Sequence, residues 1–197
     1  MLIKVNLLLC GIFATVGSCF GQYANNTTSE NRALAHIARK LVHAANWTVL
    51  GTIAPIPEIK GFPMVNLVPM SDGPPNGRSS GYIYFHLSKS NIVVESIQAR
   101  NNVTALITPN DDLGCVKPGR TQTCYNAMIS GCTILLRPRT NEFALGLRAY
   151  LSRHPKMAIS LLEDDFLLYK LVVEKVFVVD SYGTPNLVPL QDYYTNN

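Results

Sequence analysis

Charge is scarce in this sequence. Asp, Glu, Lys and Arg make up 15% of its 197 residues, and the net charge of +4 is spread without a basic block. That distribution argues against a nucleic-acid partner. No apolar run reaches the ~20 residues a membrane-spanning helix needs; the N-terminal run from Val5 to Val16 is interrupted by Asn6 and no basic stop-transfer cluster follows it. G-x-S-x-G, G-x-G-x-x-G, P-loop and H-E-x-x-H motifs are all missing, which removes the usual signatures of hydrolases, dinucleotide or nucleotide enzymes and zinc proteases. There is one tryptophan, Trp47, and none of the four histidines forms an i, i+4 pair. There is no internal repeat and no linker, so one domain is expected.

What is present first points to a compartment. Lys4, the short apolar run and the small-residue exit with Cys19 and Gly21 form the pattern of a secretory signal cleaved after Gly21. Residues 1–21 are thus expected as a signal peptide, 22–29 as a flexible leader and 30–197 as the folded domain. Four N-glycosylation sequons agree with export: Asn25 and Asn26, which overlap, then Asn46 and Asn102. Asn102 has the best context, a polar turn before an apolar run. Asn46 stands beside Trp47, where crowding works against modification.

Beyond the first 19 residues the cysteines are Cys115, Cys124 and Cys132. In an oxidising lumen nearby thiols form disulfides. No histidine lies in the intervening loop to support zinc, and eight residues between the first two exclude a C-x-x-C redox pair. Cys115–Cys124 is therefore expected as a structural bridge, with Cys132 a buried free thiol inside a strand.

Leu34, Ile37, Leu41 and Val42 carry a helical period, with Ser29 as the cap. The period then becomes two. WTVLGTIAPI, FPMVNLVPM and GYIYFHL read as strands, NIVVESIQARNN as a short helix, VTALIT and CYNAMISGCTILLR as strands. NEFALGLRAYLSRH is a helix halted by Pro155, PKMAISLL a turn or two, and FLLYKLVVEKVFVVDSYG a bent strand or a hairpin. Strands outnumber helices and seldom alternate with them, which favours a mostly antiparallel barrel with peripheral helices over a doubly wound sheet.

Candidate chemistry is thin. Asp111-Asp112 and Glu163-Asp164-Asp165 read as solvated turns and not as metal ligands. His36 and His43 read as surface or packing residues, and His154 as a partner for the last carbonyls of its helix. Arg78, Ser79 and Ser80, in a loop that Gly77 and Gly81 are expected to leave mobile, are the one set suited to gripping a phosphate.

HAANWTVLGTI, SDGPP, YFHLS, Cys115 with Cys124, ISG at 129–131, RHP at 153–155 and VFVVDSYGTP, in this order, resemble the CREG family of secreted glycoproteins. The match runs from about Arg32 to Tyr194. Cys132, the acidic run at 163–165 and the sequon-rich leader depart from the family pattern. The resemblance implies a split β-barrel of the pyridoxamine-phosphate-oxidase-like class, an α+β or mostly β fold that pairs as a homodimer. It implies a non-enzymatic role through protein partners in restraining growth and promoting differentiation, secreted or endolysosomal, with a mannose-6-phosphate-type receptor as a glycan-dependent partner. It implies a flavoprotein relative that has lost its flavin and so no cofactor, while the residues themselves offer no metal site and no catalytic constellation. The alternative is an FMN-dependent oxidoreductase on the same barrel, its phosphate held by Arg78, Ser79 and Ser80.

Overall fold

A computed structural model describes residues 27–109, 124–162 and 165–195. Helix α1 (Thr28–Ala44) opens on a capping box. Thr27 Oγ1 accepts from Glu30 N, and the Glu30 carboxylate accepts from Thr27 N at 2.6 Å. The cap is thus Thr27 and not Ser29, because only Thr27 places a glutamate three positions on. The helix buries Ala35, Ala38, Leu41 and Val42 against the barrel.

The strands follow as β1 (Trp47–Ile53), β2 (Pro63–Pro69), β3 (Ile83–Ser88), β4 (Asn102–Ile107), β5 (Asn126–Leu135), β6 (Phe166–Val179) and β7 (Pro185–Val188). Every pairing is antiparallel, in the order β2-β1-β4-β5-β6-β3, with β7 also on β6. The sheet curls without closing. Its two ends, β2 and β3, meet only at the isolated bridge Ser71–Tyr84, just beyond β2. This is the split barrel. Leu50, Ile83, Phe85, Ala105, Ile107, Ile129, Leu171 and Val176 fill its interior, all fully buried.

β6 is one continuous strand with a bulge, and not a hairpin. Ser130 pairs with Lys175 but Gly131 pairs with Val173, so Glu174 is the unpaired extra residue. The bulge changes parity: Leu171 and Val173 point inward before it, Val176 and Val178 after it. A 14-residue strand can therefore bend around the barrel while keeping one face in the core.

Helix α2 (Ile92–Ala99) is capped by Asn91, whose side chain accepts from Val93 N. Helix α3 (Asn141–Arg153) starts at Thr140, whose hydroxyl accepts from Phe143 N, and stops before Pro155. It packs on the outer side of β3 and β6 through Tyr150, Tyr84, Leu136 and Leu168, a second small core. A 3-10 segment (Pro155–Leu162) follows. Helix α4 (Leu190–Thr195), which the sequence pattern did not reveal in the proline-containing tail, lies against α1 with Tyr193 fully buried.

Candidate functional site

Among the described residues, a dense polar cluster forms where the ends of the open sheet meet, in the loop between β2 and β3. Asp72 is at its centre, with none of its side chain accessible. Arg153 Nη2, from the last turn of α3, donates to Asp72 Oδ1 at 2.9 Å. His43 Nδ1, from the last turn of α1, sits 3.0 and 3.2 Å from the two carboxylate oxygens. Ser79 Oγ donates to Oδ2 at 2.6 Å, and Ser80 Oγ donates to the Asp72 carbonyl at 2.6 Å. Burial pushes the Arg153 guanidinium below its usual range, and the Asp72 carboxylate opposes that.

The backbone around this node is held as firmly. Arg153 Nε donates to Gly73 O at 2.7 Å. Ser71 Oγ donates to Ala149 O at 2.6 Å. Arg39, buried on α1, donates from Nε to Ser79 Oγ at 2.9 Å, from Nη2 to Ser79 O, and from Nη1 to Tyr193 O at 3.0 Å. Tyr193 OH closes the circuit by donating to Gly81 O. Gly81 has φ +74°, and a Cβ there would lie 2.7 Å from Arg39 Nη1, so glycine is required for the arginine to pass. The loop is pinned on both flanks, and not left mobile by its glycines. The reason is the long-range contacts of Arg39 and Arg153, 40 and 80 positions away from their loop partners.

This geometry changes how several predicted residues are read. Ser79 donates its hydroxyl to the Asp72 carboxylate and Ser80, which lines the same cleft as Arg78, donates its own to the Asp72 carbonyl, so neither is free to donate to an external phosphate. Arg78 is exposed and turned into a cleft of about 390 Å³ between this loop and α3, which Arg148, Lys170, Tyr82 and Tyr84 also line. His43 is part of the buried node, while His36 is exposed. His154 Nε2 donates to Met70 O at 2.9 Å, across to the strand end and not to its own helix.

Asn102 is exposed as the first residue of β4, and Asn46 is exposed at the α1–β1 junction, with its side-chain oxygen 3.5 Å from Arg153 Nη1. Asn25, Asn26, Cys115, Asp111, Asp112, Glu163 and Asp164 lie outside the described residues, as does the signal segment. Among the described residues, no group of three or more His, Cys, Asp or Glu is placed to hold a metal ion, and no helix is long and apolar enough to cross a membrane.

Cys132 is a free thiol, as expected, but half-buried and not in the core. The parity of β5 explains this: Ile129, Gly131 and Thr133 face inward, so Cys132 faces out with Met128 and Ser130. Its Sγ donates to Glu174 Oε1 at 3.1 Å, and that hydrogen bond raises the thiol pKa. The thiolate fraction at neutral pH is thereby reduced. Glu174→Gln is expected to accelerate alkylation of Cys132 by iodoacetamide at pH 7 several-fold, as followed by mass spectrometry. An unchanged rate would show that the carboxylate does not control the thiol.

The family model described as CREG, beta-barrel matches residues 29–195. The chain belongs to the CREG family. Its relatives include human Protein CREG1, 29% identical over 163 residues that make up 81% of this chain and 73% of that protein. Among solved structures, a heme binding protein from Mycobacterium smegmatis superposes on this CREG chain with TM-score 0.66 at 18% identity, over 82% of this chain and 60% of that one. A Clostridium acetobutylicum protein related to general stress protein 26, of the pyridoxinephosphate oxidase family, gives TM-score 0.58 at 11% identity, over 83% and 99% of the two chains. At these identities the solved structures establish the split-barrel fold alone.

Proposed function

We propose that this CREG-family chain is a non-enzymatic glycoprotein of the secretory or endolysosomal route that acts through protein partners in control of cell growth and differentiation. The observation that carries this reading is the commitment of the barrel's polar groups to its own architecture. Flavin attachment through Arg78, Ser79 and Ser80 would require the Ser79 hydroxyl to leave the fully buried Asp72 carboxylate and the Ser80 hydroxyl to leave the Asp72 carbonyl. Removing hydrogen bonds from a buried charge is costly. The set does not fit a flavin phosphate, and no oxidoreductase step is assigned to it.

The reading includes a homodimer. Phe62 and the β2 residues Val65 and Leu67 are about two-thirds exposed, at 66%, 67% and 68%. Such apolar side chains on a terminal strand of an open sheet support burial against a second copy. It also includes a Cys115–Cys124 bridge, glycans at Asn102 and in the Asn25/Asn26 leader, and a mannose-6-phosphate-type receptor as a glycan-dependent partner.

One preparation tests the set: protein secreted from a eukaryotic host, analysed by absorption spectroscopy, native mass, and mass after deglycosylation and reduction. The expected result is a colourless dimer, modified at Asn102, with Cys115 linked to Cys124 and no saturable binding of added FMN. Micromolar FMN affinity accompanied by FMN-dependent turnover of a pyridoxine-type substrate would replace this reading with the flavin oxidoreductase.

A further inference from the structure

We propose that the cleft between the β2–β3 loop and α3 binds a small phosphate monoester, with the phosphate between Arg78 and Arg148 and the organic part on Leu145 and Pro74. The inference does not depend on the non-enzymatic reading.

The charge balance of the cleft carries it. Among the described residues, the lining holds three cations, Arg78, Arg148 and Lys170, and two carboxylates, Asp72 and Glu142. The carboxylates are spoken for. Asp72 is fully buried on Arg153, and Glu142 Oε1 lies 2.6 Å from Lys170 Nζ. Neither Arg78 nor Arg148 has a carboxylate within ion-pair distance among the described residues. Two uncompensated guanidinium groups facing one cavity suit a dianion, and their planar forks match the oxygens of a phosphate.

The two arginines are brought there by rigid elements. Arg78 directly precedes Ser79 and Ser80, which anchor the loop to Asp72, so its backbone is set before any ligand arrives. Arg148 stands two residues after Gly146, where α3 approaches β3 so closely that a Cβ would lie 2.8 Å from the Tyr84 ring. A site prepared in this way loses little entropy on binding.

The rest of the cavity selects the ester. Leu145 is 57% exposed on its wall and offers an organic group an apolar contact. Lys170 already sits over the Tyr82 ring, 4.2 Å from its centroid, so that ring face is occupied and the organic part turns toward Leu145 and Pro74. A volume of about 390 Å³ is at the small end of ligand cavities. It suits one ring or a short chain beyond the phosphate.

The test is a ¹H–¹⁵N NMR titration of the mature protein with phenyl phosphate, inorganic phosphate and phenol, repeated in R78Q and R148Q. Both arginines are exposed, and an unchanged amide spectrum outside the cleft will verify that each variant is folded. Phenyl phosphate is expected to bind more tightly than either fragment, shifting amides of the 72–82 loop and of α3. Each variant is expected to weaken it about tenfold, as loss of a charge-assisted hydrogen bond predicts, and added salt to weaken it further. Three results would each overturn the proposal: no saturable shift at the cleft, affinity unchanged in both variants, or inorganic phosphate binding as tightly as the ester.

Discussion

Asp72→Ala is expected to destabilise the folded protein by about 3–5 kcal/mol, the cost of leaving a buried charge without its partner. Arg153 is the charge left behind: 2% of its side chain is accessible, against 0% for Asp72, so solvent screening gives no relief. Ser79 loses its acceptor in the same step. For a domain of this size the change corresponds to a fall in melting temperature of roughly 10 °C. Arg153→Met added to Asp72→Ala should recover part of the loss, because it removes the stranded guanidinium together with its desolvation. Urea denaturation of the two single variants and the double variant gives the coupling directly. A loss below about 1 kcal/mol in Asp72→Ala would mean that water reaches the node and that the loop is not held as described.

Gly131→Ala should be as damaging, for a steric reason. A Cβ at this position would lie 2.0 Å from the Val172 carbonyl oxygen, 3.0 Å from the Val172 carbonyl carbon and 3.1 Å from Glu174 N. All three are backbone atoms of the neighbouring strand, so no side-chain rotation can make room. β5 and β6 must separate at the bulge that lets β6 bend, and a cost of about 3 kcal/mol or more follows. Gly51→Ala is the control. Its Cβ would meet only Thr104 O, at 3.4 Å, and the change should stay within about 1 kcal/mol. Equal stability of Gly131→Ala and the unaltered protein would show that the bulge does not require glycine.

The contrast between these two glycines marks the limit of what local pattern can say. Both stand in strands with alternating burial, and from their neighbours in the chain they look alike. Gly131 differs because Glu174, 43 positions later, is squeezed out of the ladder beside it. The strands themselves were legible, since apolar residues alternating between Pro and Gly stops have few other conformations that bury one face. Helix α3 was legible too, from its apolar period and Pro155 after it. The tail was not. Leu187, Val188 and Leu190 lie too close to Pro185 and Pro189 to show a period, and α4 is ordered by its burial against α1.

The sequence by itself determined the mostly antiparallel barrel class and the type of its main elements, which rest on local periodicity, and the resemblance to its family, with the split barrel that this implies, which rests on motifs in order. Tertiary structure alone decided the chemistry. His43, Asp72, Ser79 and Arg153 span 110 positions and become one node only when α1 and α3 end beside the gap between β2 and β3. The same closure tied the Ser79 and Ser80 hydroxyls to Asp72 and left Arg78 and Arg148 lining one cleft. A carboxylate taken out of water must gather cations and donors from wherever the fold supplies them. Which groups those are depends on the packing of distant elements, and no spacing along the chain records it.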